Sequence, residues 1–158
     1  EAGKSYDFVG TGDDSLAIKV GGDLVDQARW GVNYGHITSG NPFVPVVSGF
    51  YPIEIYHHNQ SGAGNFNVNV SVDGATPVNL DNQNFGIVSD VSKLESTGLR
   101  TSELQDVNGS HVYEVFETNE GLQDTWIPLT SVTVAQQDTD GSETLVVNIS
   151  GLPAGAKF

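Results

Sequence analysis

Apolar and polar residues alternate along most of this chain. "NFNVNVSV", residues 65–72, sets Phe66, Val68, Val70 and Val72 on one face and small polar side chains on the other. Successive side chains of an extended strand point to opposite faces, so the pattern predicts a half-buried antiparallel strand. "SLAIKV" repeats it with Leu16, Ile18 and Val20, and Gly21-Gly22 then predicts a tight hairpin into "DLV". "YPIEIYHH", 51–58, places Ile53 and Ile55 inward, with Pro52 marking a strand start or a sheet edge. Further strands are expected at 111–117, 131–136 and 143–150. One segment reads as helical: "SDVSKLESTG" offers Ser89 or Asp90 as a cap, Val91 and Leu94 three apart, and Gly98 as a stop. Regular strand spacing with Gly, Asn and Asp turns predicts an all-β fold, an antiparallel β-sandwich. The grammar shifts across "NEGLQDTWIPLT", and a boundary near residue 124 would divide a sandwich, 1–124, from part of a second β module, 125–158.

Charge narrows the partners. Twenty acidic residues against six basic ones give a formal charge of −14. Such a field repels nucleic acid and anionic lipid, and it attracts cations. No apolar run is long enough to span a membrane, so membrane insertion is not expected. Seven Phe, five Tyr and two Trp argue against disorder. Without Cys, thiol catalysis, thiolate zinc sites and disulfides are excluded, and metal ions are the usual substitute staples. The absence of Met, at residue 1 as elsewhere, reads as an internal piece of a longer polypeptide.

Three stretches carry candidate chemistry. "GTGDDS" opens like a dinucleotide loop, but a strand follows instead of a helix, and Asp13 and Asp14 would repel a pyrophosphate. A glycosidase pair needs its carboxyls roughly 5 to 9.5 Å apart across a sugar, whereas neighbours in a turn stand close. A shared hard cation suits them better; a solvated turn is the plain alternative. "HHNQSGAGN", 57–65, joins two strands and is rich in Gly and amide oxygens, as a calcium loop or a simple hairpin connection would be. His57 and His58 lack a third ligand at zinc spacing and read as rim residues. "QDTDGSE" supplies Asp138, Asp140 and Glu143 around Gly141, a possible structural calcium turn that Glu117, Glu120 and Asp124 could complete. There is no Gly-x-Ser-x-Gly elbow, four His give no arguable triad, and the chain is not read as an enzyme.

"EAGKSYDFVGTGDDSLAIKVGGDLVDQARWG", followed after a loop by "GFYPIEIYHHNQSGAGNFNVNVSVDG", resembles the anthrax protective-antigen domain family. Its lectin members, which include yeast flocculins and domains of giant bacterial adhesins, hold calcium through an Asp-Asp pair joined by a cis peptide. A second loop adds ligands, and vicinal hydroxyls of a sugar finish the coordination. The resemblance implies Asp13 and Asp14 as calcium ligands, with Gln60, Ser61 and Gly62, assisted by Asn59, as the second loop. Asp13, Asp14, Gln60 and His58, with Trp30 and His36 from "WGVNYGHITSGNPF", would ring the sugar. The family usually has one or more strands before "EAGKSYDF". The tail "VTVAQQDTDGSETLVVNISGLPAGAKF" resembles the immunoglobulin-like repeats of bacterial repeats-in-toxin adhesins. The implied function is calcium-dependent carbohydrate binding at a bacterial cell surface, attaching a large extracellular adhesin to target glycans. A calcium-rigidified spacer and a calcium-dependent peptide-binding module remain open alternatives.

Overall fold

The computed structural model describes residues 1–38, 40–117 and 155. In chain order the first elements are β1 (Tyr6–Gly12), β2 (Ser15–Val20), β3 (Asp23–Ala28), α1 (Trp30–Asn33) and β4 (His36–Thr38). They are followed by β5 (Gly49–Phe50), β6 (Ile53–His58), β7 (Phe66–Val72) and β8 (Val78–Asn79). A 3-10 helix (Val91–Thr97) precedes β9 (Leu99–Thr101), β10 (Gln105–Val107) and β11 (Ser110–Glu117). All pairings are antiparallel. One sheet has the order β4-β1-β7-β8, a second β3-β2-β6, and in a third β11 pairs with β10, β5 and β9. The chain is all-β, as its alternation predicts.

The first two sheets bury their apolar faces against each other. Phe8 of β1, Ile37 of β4, and Val68 and Val70 of β7 meet Leu16, Ile18 and Val20 of β2, with Val25 and Ala28 of β3. Ile18 is 0% exposed, so its whole side chain counts towards the core. Two adjacent glycines in left-handed conformations, Gly21 at φ 62° and Gly22 at φ 90°, close the β2–β3 hairpin. That backbone twist matches the twist of the flanking strands.

Three expectations need correction. Ile53 and Ile55 are not inside: they are 41% and 37% exposed. They lie opposite Val20 and Ile18 in the β2–β6 ladder and so share the core-facing side. However, β6 pairs with β2 alone, at the sheet edge Pro52 suggested, and that edge is incompletely covered among the described residues. Phe66, grouped with the inward valines, is half exposed at the end of β7, where its ring lies 5.3 Å from that of His57. The helical segment forms between its expected cap and stop, with the Asp90 side chain accepting from Ser92 N at 2.9 Å and Gly98 left-handed at φ 84°. It is a 3-10 helix, and α1 is an additional single turn that the pattern did not announce. Strands 131–136 and 143–150, and the boundary near 124, lie outside the described residues.

Candidate functional site

Asp13 and Asp14 are the entire connection between β1 and β2, so the chain crosses from one sheet to the other over two carboxylates. The peptide bond joining them is cis, as the resemblance implies. Residues 59–65 make the reverse crossing, from β6 to β7. The two crossings lie side by side and are bonded together. Asp13 N donates to Asn65 O and Asp14 N to His58 O, both at 2.9 Å. Gln60 N donates to the Asp14 carboxylate at 2.7 Å, and His57 Nε2 donates to the Asp13 carbonyl at 2.7 Å. From a third direction, Gly12 N donates to Gly35 O at 2.8 Å.

Within the second loop, Asn59 is the informative side chain. Its amide nitrogen donates to Gly62 O at 3.1 Å, which fixes the amide plane. Its Oδ1 is buried and has no hydrogen-bond partner among the described residues. Leaving such an oxygen unsatisfied costs about 1–3 kcal/mol, so an electropositive partner is expected. Gly64 makes the room: a Cβ there would stand 2.7 Å from the Cβ, Cγ and Nδ2 of Asn59. Asn59 sits between His58 and Gln60, whose main-chain atoms both bond Asp14.

These groups fit calcium, a hard cation that takes oxygen from carboxylates, amides and backbone carbonyls alike. No three His, Cys, Asp or Glu side chains gather into a metal site among the described residues. The candidate donors, two carboxylates and an amide oxygen, include only two acids and so would not form such a set. Of the remaining predicted ligands, Ser61 and Gly62 are exposed in the loop, and Gln60 contributes its N–H to Asp14. Asp138, Asp140 and Glu143 lie outside the described residues, as do Glu120 and Asp124.

Beside Asp14 opens a groove of about 630 Å³, lined by Asp14, Arg29, Trp30, Tyr56, His58 and Gln60 among others. Trp30 is 56% exposed. The predicted ligand-contacting residues Asp14, Gln60, His58 and Trp30 therefore share one surface. Asp13 and His36, also expected at the ligand, are not part of this lining; His36 lies opposite Thr11 in the β1–β4 ladder. Sequence reasoning missed Arg29, which no motif marks, and the carbonyl of Asn65, which only the crossing geometry brings to Asp13. A larger cavity of about 750 Å³ is lined by Phe8, Phe43, Phe50, Phe85 and Tyr113, and includes neither Asp13 nor Asp14. Its walls are mainly apolar, although Glu1 and Asp90 also line it.

No family model, curated protein or solved structure matches the chain.

Proposed function

We propose that this chain is a calcium-dependent carbohydrate-binding module, of the protective-antigen lectin kind, from a bacterial surface adhesin. The observation that carries the reading is the buried, unpartnered Oδ1 of Asn59, held in the loop whose main chain bonds the Asp13-Asp14 turn. Asp13, Asp14 and Asn59 would hold the ion, with loop oxygens of 60–62 completing the protein's share. When bound, the ion supplies a Lewis-acidic position for two neighbouring hydroxyls, which are weak ligands for protein groups alone. The chain's own part is to fix the carboxylates, exclude alternative turns, and offer Trp30 and His58 beside the ion. The net charge of −14 favours cation capture and repels nucleic acid.

The extracellular, cell-surface setting rests on the two resemblances, as does the adhesin tail. Glycan-array binding of the whole chain, in calcium and in EDTA, tests the function. Signal that needs calcium and falls on sugars with vicinal hydroxyls is expected. Binding unchanged by EDTA would remove the ion from the mechanism, and calcium-dependent signal on peptides alone would favour the peptide-binding alternative.

A further inference from the structure

The groove beside the carboxylate turn carries a positive charge that a neutral sugar would leave unused. Asp14 and Arg29 are the formally charged side chains of its lining, and they form no ion pair with each other. The guanidinium of Arg29 donates to Gln27 Oε1 at 3.3 Å, a neutral partner, and the residue is exposed. Its backbone is fixed: Arg29 N donates to Asn33 Oδ1 at 2.6 Å, and Asn33 Nδ2 donates to Gln27 O at 3.3 Å. With twenty acids to six bases in the chain, a guanidinium meeting an amide instead of a carboxylate departs from the average field. Next to it, Trp30 presents an exposed aromatic ring on the same groove.

We propose that this groove selects a saccharide bearing a carboxylate, with the carboxylate on Arg29 and the ring against Trp30. The inference rests on the calcium-lectin reading, because a dication balances the charges of Asp13 and Asp14. Arg29 then leaves the groove net positive. A planar guanidinium matches a carboxylate through two parallel N–H bonds, which a point charge cannot reproduce. One guanidinium also balances one unit of negative charge, whereas a phosphate would bring more charge towards Asp14.

An array carrying neutral, uronic, sialic and sulfated glycans, with acidic peptides as a separate set, tests this on the wild type, Arg29→Gln and Arg29→Lys. Each protein is read in calcium and in EDTA, with circular dichroism to establish folding. Wild type should favour carboxylated over neutral glycans at least tenfold. Arg29→Gln should lose that preference tenfold or more, and Arg29→Lys should keep part of it. Preference for neutral or sulfated glycans, binding to peptides only, silence across the array, or an unchanged preference in Arg29→Gln would overturn the proposal. Carboxylate-selective binding that survives EDTA yet falls in Arg29→Gln would uphold Arg29 and overturn the calcium reading alone.

Discussion

Asp13 and Asp14 have different neighbours, although they are adjacent. The Asp14 carboxylate accepts from Gln60 N, whereas Asp13 is held through its backbone to Asn65 and His57. Asp13→Asn keeps the shape and removes a charge that a hard cation depends on, so calcium affinity should fall by about two decades, read by calorimetry. The fold should persist, because the core side chains lie elsewhere. Gly64→Ala probes the same site through sterics alone. Its methyl group would enter the space of the Asn59 side chain, costing about 1–3 kcal/mol in stability and weakening calcium without altering any ligand. A variant with unchanged calcium affinity would show that Asn59 Oδ1 is not a ligand. Asp26 gives a prediction about pH. Burial pushes its carboxyl above the usual range, and the nearby charge of Asp7 adds to this, against a backbone N–H from Gln27. A raised folded-state value means the native chain binds the proton more readily than the unfolded one, so ionised Asp26 opposes folding at neutral pH. Asp26→Asn should therefore stabilise the chain in neutral denaturant titrations. The gain should shrink as pH falls through the raised value towards the ordinary 3.8.

At the scale of elements, the sheets depend on β2, which is central in its own sheet and faces the other. Ile18→Ala, at a fully buried position, should cost about 2–5 kcal/mol by thermal or chemical melting. A loss below 1 kcal/mol would mean that the two sheets do not share one core. The alternation made β2, β6, β7 and β11 legible, because period two is the signature of a strand with one wet face. It also placed Ile53 and Ile55 on the correct side of β6. What it could not give was the extent of cover, since exposure at an edge depends on which strand lies opposite. The short strands β5, β8, β9 and β10 are two or three residues long, too few to show a period. Much the same holds for the site. The Asp-Asp turn and the glycine-rich loop were visible as local oddities, and family resemblance paired them. Arg29 was not visible, because its place in the groove comes from the turn of α1 and the Asn33 side chain, not from any spacing along the chain.

For the whole molecule, the formal charge of −14 and the lack of Cys set the energetics. Self-repulsion weakens the compact state, and no disulfide offsets it, so a bound dication should matter more here than in a neutral domain. Calcium at a hundredfold excess over its dissociation constant should stabilise the fold by about 2.7 kcal/mol. Thermal melts in calcium and in EDTA measure this, and coincident curves would show that the ion does not select the folded chain. The two neighbouring crossings also have a mechanical meaning. Four hydrogen bonds tie the β1–β2 turn to the end of β6 and the connection that follows it, two to His57 and His58 and two to Gln60 and Asn65, so displacing the turn strains them together. Bonds stretched in parallel share tension and give way as a set, unlike rungs that unzip one by one. An ion gripping both crossings would stiffen that seam further. If the proposed module serves as a tether under flow, its rupture force would then be set at the same place where it is proposed to hold its sugar.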